Sequence, residues 1–119
     1  MLNYVSMITE FTDFIQSEMK KRGWSQADLA RQTGMTTGGV SMLLNQTRKP
    51  SPDTLLTLAQ SFHLPPELIF RKAGLLPELP ESVEQKEELD YLFNILSNEG
   101  KTDLLTYARF LLAEEKKRA

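Results

Sequence analysis

Residues 26–45 read QADLARQTGMTTGGVSMLLN. Counting Gln26 as position 1, Ala30 stands at position 5, Gly34 at 9, Val40 at 15 and Leu43 at 18. Each residue type suits two short helices that cross at a steep angle through a tight turn. Position 5 meets the partner helix at close range and admits only a small side chain. Position 9 is the turn, where glycine takes a positive φ without a Cβ penalty. Leu29, Met35, Val40 and Leu43 point inward and lock the second helix on the first. A single glycine after a helix is common in any helical hairpin. Four constrained positions at this spacing are far more specific, and they lie between a capping signal and a proline-started helix.

That joint occurrence reads as a helix-turn-helix, and the flanking punctuation predicts seven helices and no strand. The first helix spans about Ile8–Lys21, with Ile8, Phe11, Phe14 or Ile15, and Met19 on one stripe. Gly23 ends it after Lys20, Lys21 and Arg22, cations that suit the negative end of a helix dipole. Ser25 caps the second helix, with Asp28 three residues on as an acidic variant of the capping box. Gly34 ends that helix, and Thr36 caps a third that runs to about Asn45. Ser51-Pro52-Asp53 places a cap, a proline and an acid at the start of a fourth, which carries Leu55, Leu58, Ala59 and Phe62. Pro65-Pro66-Glu67 opens a short fifth helix with Leu68 and Ile69, closed by Gly74. The stretch KAGLLPELPES then breaks the pattern with two prolines. Ser82 caps a sixth helix, with Gln85 completing the box and Leu89, Leu92, Phe93 and Leu96 on its stripe. Gly100 ends it, and a seventh runs from about Thr102 to Lys116.

Composition narrows the function. The chain has 119 residues, 14 Lys+Arg, 16 Asp+Glu and a net charge of −2. No apolar run approaches the roughly 18–20 residues of a membrane span. The start, MLNYVSMITEF, lacks a basic region before an apolar stretch and so does not read as a secretory signal. There are no cysteines, which suits a reducing cytoplasm and excludes disulfides and thiolate metal sites. A single histidine, His63, excludes a multi-His metal site and reads as a solvated helix-end group. The pairs Glu87/Glu88 and Glu114/Glu115 are adjacent, so they splay apart on a helix and read as solvated faces rather than acid/base pairs. With no nucleophile–base pair and no phosphate-cradling glycine loop, the chain is not expected to be an enzyme or to need a cofactor. Trp24, at the junction of the first two helices, reads as a packing residue.

Net charge hides an asymmetry. Residues 1–73 carry eight basic and six acidic groups, +2; residues 74–119 carry six basic and ten acidic, −4. An acidic tail masks a mildly basic front.

The run WSQADLARQTGMTTGGVSMLLNQTRKPSPDTLLTLAQSFHL makes residues 8–74 resemble the phage-repressor-like (XRE, lambda-repressor-like) helix-turn-helix family. The likeness rests on the Ser-Gln start of the second helix, the stretch TRKPSPDTL and the Leu-x-x-Leu-Ala of the fourth. It implies an all-α fold, a five-helix DNA-binding bundle followed here by a two-helix extension. It also implies double-stranded DNA as partner, with the third helix in the major groove. Gln26 matches the family glutamine that contacts a phosphate. Thr36 and Thr37 open the recognition helix; Gly38, Ser41 and Met42 occupy positions that reach base edges. Asn45, Thr47, Arg48 and Lys49 match the loop that lies along the backbone. This chain departs from the pattern at Gly38-Gly39, which costs about 1–2 kcal/mol of helix propensity against alanine. Gln46 stands where a glycine is usual and Leu44 where a glutamate is common. Direct base readout is therefore thin, leaving Thr37, Ser41 and an apolar contact from Met42 to a thymine methyl.

The expected organisation is a DNA-binding domain over 1–74, a proline-containing linker over 75–81 and a helical pair over 82–119. The seventh helix offers Leu104, Leu105, Tyr107, Ala108, Phe110, Leu111 and Leu112, a wider arc than one neighbour covers. Either the pair folds back on the bundle, or it joins a second chain through Leu89, Leu92, Phe93, Leu96, Leu104, Tyr107, Ala108 and Leu111. The second arrangement, a homodimer, is expected, acting as a DNA-binding transcription regulator and most simply a repressor. The alternative is a protein-interaction module, antitoxin-like or an antirepressor partner, with weak or no specific DNA binding.

Overall fold

The computed structural model describes residues 4–45 and 49–118, with side chains from Thr9 onward. Among the described residues the chain forms seven helices and no strand. They are α1 (Tyr4–Arg22), α2 (Gln26–Thr33), α3 (Thr37–Leu44), α4 (Pro52–Phe62), α5 (Pro66–Lys72), α6 (Glu81–Ile95) and α7 (Asn98–Arg118).

The first five helices make a bundle around one core. Ile15 of α1, Leu29 of α2, Val40 of α3, Leu55, Leu58 and Phe62 of α4, and Leu64 and Ile69 are fully buried. Leu44, read as a departure from a family glutamate, joins this core, so an acid there would be desolvated without a partner. Trp24 packs against the core as expected, its ring stacked on Phe62 with centroids 5.6 Å apart. Arg22 lies over the Phe62 ring at 4.8 Å. Its guanidinium donates to the Glu18 carbonyl at 2.8 Å and carboxylate at 3.0 Å, and to the Phe62 carbonyl. Helix-end duty and core closure thus account for Arg22.

Local signals set most of the helix ends. The Ser25 hydroxyl accepts the Asp28 N–H at 3.1 Å, and the Asp28 carboxylate accepts the Ser25 N–H at 2.8 Å. These bonds with Ser25 hold the Asp28 carboxyl below the usual carboxylate range against an opposing effect of desolvation, with the charge of Arg31 a lesser aid. A lowered folded-state pKa means the stabilisation is complete above the ordinary value and lost as pH falls through the folded one. Wild type is therefore expected to melt above Asp28→Asn at neutral pH, and the gap to close below about pH 4. Thermal melts of both proteins across pH 2–7 check this, and a gap that persists unchanged into acid would contradict it.

Four expected boundaries move. Helix α1 begins at Tyr4, a turn earlier than predicted. Helix α6 begins at Glu81 with Pro80 at its cap position and no side-chain cap bond, so Ser82 lies in the first turn and no box forms with Gln85. The Pro80 carbonyl accepts the Val83 and Glu84 N–H groups at 3.0 and 3.1 Å, which starts the helix from the backbone. Gly100 does not end α6. Leu96 turns extended, and the Ser97 hydroxyl accepts the Gly100 N–H at 3.1 Å, so α7 starts at Asn98. A cap worth about 1 kcal/mol offsets the similar helix cost of one glycine. Thr102 therefore stands inside α7, its hydroxyl bonded to the Asn98 carbonyl at 3.1 Å.

Helices α6 and α7 add no buried residue to the core of the bundle, and neither contains one. The radius of gyration is 16.7 Å, against about 13.5 Å for a compact chain of this length. Folding back on the bundle, one of the two arrangements open to this pair, would have buried its leucines.

Candidate nucleic-acid interface

The turn between α2 and α3 is built from short-range bonds. Gly34 caps α2 at φ 74°, its N–H reaching the Ala30 carbonyl. The Thr33 hydroxyl donates to the Leu29 carbonyl at 2.7 Å and accepts the Met35 N–H at 3.2 Å. Thr36 then caps α3, its hydroxyl accepting the Gly39 N–H at 2.9 Å. Ser61 of α4 donates to the Gln32 carbonyl at 3.0 Å and ties α2 to the bundle. The result is a short helix whose direction is set at both ends.

Helix α3 has two faces. Val40, Leu43 and Leu44 are buried and fasten it to the core. Thr37, Gly38 and Met42 are exposed along the outer side, with Ser41 half-buried among them. Asn45 caps the C-terminal end, and its amide donates to the Ser41 hydroxyl at 3.1 Å. Gln26 is exposed at the first position of α2, at that helix's N-terminal end. Thr36 and Lys49 are exposed as well. Thr47 and Arg48 lie outside the described residues, as does Gln46.

The two glycines of α3 differ. A Cβ on Gly39 would meet the Thr36 hydroxyl at 3.2 Å and the Met35 methyl at 3.6 Å, so the cap itself favours glycine there. A Cβ on Gly38 would meet only the Thr36 hydroxyl, at 3.9 Å. The free fold thus places no demand on position 38. Gly38→Ala is expected to raise stability by about 0.5–1 kcal/mol through helix propensity. Denaturant unfolding checks this; a loss of stability would contradict it.

A steeply crossed helix pair, with a polar outer face on the second helix and an apolar inner one, is the arrangement that enters a DNA major groove. Residues 15–69 match the family model described as Helix-turn-helix. This domain is an XRE-type, lambda-repressor-like helix-turn-helix. The match supports a DNA-binding transcription regulator of XRE type. No curated protein and no solved structure matches the chain. Among the described residues no helix is long and apolar enough to cross a membrane, and no group of His, Cys, Asp or Glu is arranged to hold a metal ion.

Beyond the XRE-type domain, the expected dimerisation residues line an uncovered surface. Leu89, Leu96, Tyr107, Ala108 and Leu111 are exposed; Leu92, Phe93 and Leu104 are half-buried. Tyr107 and Phe110 stack on each other at 6.3 Å, and the Lys101 ammonium lies 5.2 Å over the Phe93 ring. Leu96 sits at the corner between the helices rather than on the α6 stripe.

Sequence reasoning missed one cluster. Glu87 is not a solvated group: its carboxylate takes two bonds from the Arg71 guanidinium, at 3.1 and 3.4 Å. Glu84 bonds both Arg71, at 3.4 Å, and Lys72, at 3.1 Å. Glu84 and Glu87 stand three apart on one helix face, a signal that adjacency with Glu88 obscured. His63 is exposed as expected, but it also closes α4 in the left-handed region at φ 55°.

Proposed function

We propose that the protein is a repressor that docks α3 in the major groove of double-stranded DNA and works as a cytoplasmic homodimer. Gln26, Thr36, Asn45, Thr47, Arg48 and Lys49 hold the backbone; Thr37, Gly38, Ser41 and Met42 face the bases. The observation that carries this reading is the two-faced α3, fastened by Val40, Leu43 and Leu44 with its polar side outward. Repression needs no further machinery, because an occupied operator occludes a promoter. Catalysis and cofactors have no part in this reading.

The outer face is poor in groups that make bidentate base contacts, so much of the specificity is indirect, through DNA shape and half-site spacing. Gly38 fits this as a point of close backbone approach. The Gly38→Ala protein, though more stable, then binds operator less tightly than wild type.

The occupant of the exposed α6–α7 surface is a second copy of the chain. Self-complementary charge supports it: α6 opens with Glu81, and α7 closes with Lys116, Lys117 and Arg118. A twofold pair would set two α3 helices about one DNA turn, roughly 34 Å, apart. The proposed division follows: a DNA-binding unit over 1–74, a linker over 75–81 and a dimerisation element over 82–119. Selection from random duplex DNA, with light scattering on the same sample, tests both parts. A monomer would sink the dimer, and a long, sharply defined base motif would sink indirect readout.

The broad apolar face of α7 also favours a second reading, an adaptor that grips a different protein and touches DNA weakly. Salt separates the two. A DNA-binding regulator loses affinity log-linearly with salt as phosphate counterions are released. An adaptor has no useful duplex affinity near physiological salt.

A further inference from the structure

The α6–α7 element is joined to the DNA-binding bundle chiefly by charge. Arg71, in the last turn of α5, has a side chain only 7% exposed. Its Nε donates to the Pro77 carbonyl in the linker at 3.1 Å. Its two terminal nitrogens reach Glu87 at 3.1 and 3.4 Å, and one also reaches Glu84 at 3.4 Å. Lys72 adds a bond to Glu84 at 3.1 Å while lying 5.7 Å over the Phe14 ring of α1. One planar guanidinium therefore holds the linker and two successive turns of α6 in fixed directions. The bonds to Glu87 and Glu84 keep it firmly charged although burial opposes this.

Apolar packing does not fix the same angle. An open groove of about 750 Å³ separates α1 from α6, with Asp13, Phe14 and Ser17 on one side and Leu79, Gln85 and Glu88 on the other. No side chain of α6 is buried. Loss of the charge knot leaves little to hold α6 at its present inclination.

We propose that Arg71 is a positioning residue that sets which half-site spacing the protein accepts, an inference that rests on the dimeric DNA-binding reading. The two α3 helices of a dimer are related through two such knots. Helix α7 is about 30 Å long by its rise per residue. A swing of about 10° at the knot moves a point that far away by about 5 Å, more than one base-pair step of roughly 3.4 Å. A rigid knot thus makes spacing selective to within a base pair, and a loose one makes it permissive. Contacts within one half-site are unaffected, because Arg71 lies on α5, outside the α2–α3 unit.

The test uses the full chain with Arg71→Met, which removes the donors and keeps apolar bulk. Glu87→Gln is a milder second variant that breaks the two-pronged pair and leaves the rest of the knot. Each is titrated against duplexes carrying two selected half-sites, with centres shifted in single base-pair steps, and against a duplex with one half-site. Light scattering on each sample reads the oligomeric state. Arg71→Met is expected to remain dimeric and to bind a single half-site within about twofold of wild type. Its preference for the best spacing over spacings one or two base pairs away is expected to fall at least tenfold, with Glu87→Gln intermediate. A wild type that is monomeric, or indifferent to spacing, overturns the dimer reading and this proposal with it. A dimeric, spacing-selective wild type whose selectivity survives in Glu87→Gln and in Arg71→Met overturns this proposal alone.

Discussion

The full-length Tyr107→Glu/Leu111→Glu protein is expected to be monomeric and to bind operator DNA about 10²–10⁴-fold more weakly than wild type. Tyr107 is 59% and Leu111 40% exposed in the single chain, and α7 buries no residue at all. The substitutions therefore remove nothing from the core of one chain. Exposed changes of this kind shift stability by about 0.5 kcal/mol or less, so the melting transition of the bundle should hardly move. The dimer is different. Positions 107 and 111 are one helical turn apart on a single face, and four new carboxylates would meet across a twofold axis without partners. Burying an unpaired charge costs more than the interface can supply. DNA affinity falls when dimerisation is lost, because a linked second half-site binds at an effective concentration near millimolar. Light scattering and titration of one operator on the same sample read both quantities. A dimeric double variant would move the interface elsewhere, and a monomeric one with undiminished affinity would show that a single domain suffices.

Which features were legible from the chain follows from how far apart their partners lie. The Ser25–Asp28 box, the Gly34 turn, the Thr36 cap and the Ser51-Pro52 start were all legible, because each joins groups within four residues. The inner face of α3 was legible from spacing, since Val40 and Leu43 repeat at helical intervals. The α6–α7 corner was misread because two local signals competed there. Glycine at 100 argued for an end, and a hydroxyl at 97 argued for a start; the hydroxyl prevailed. The Arg71 knot was illegible for a different reason. Its partners lie 6, 13 and 16 residues downstream, and only the path of the linker brings them together.

That knot also changes the meaning of the charge asymmetry. Two of the eight cations counted for the front, Arg71 and Lys72, are paired with acids of the tail. Lys21 and Arg22 are paired with Glu18, and Arg31 with Asp28. Few cations therefore remain for phosphates, and Lys49 is exposed among them. On the proposed dimeric reading, affinity then depends on placed hydrogen bonds and on two half-sites rather than on a broad positive field.

The largest loss of stability is expected from Phe62→Ala. Phe62 is 1% exposed, and its ring is stacked by Trp24 on one contact and covered by the Arg22 guanidinium on another. Truncation removes a buried aromatic and leaves a cavity beside Trp24 and Arg22, a change that costs about 3–5 kcal/mol. A domain of this size holds on the order of 5–15 kcal/mol, so about a fifth or more of its stability is at stake. Each kcal/mol moves the midpoint by about 4–8 °C in so small a domain. The functional consequence travels through Trp24, which stands at the entry to α2, and through the Ser61–Gln32 bond beside Phe62. Both hold α2, and α2 holds α3. Phe62→Leu fills most of the cavity and keeps an apolar floor for Trp24, so it should lose well under half as much. Thermal and urea unfolding of the three proteins measure the difference. If Phe62→Ala cost under about 1 kcal/mol, the Trp24–Phe62–Arg22 stack would be a surface ornament, and α2 would be held by the leucine core alone.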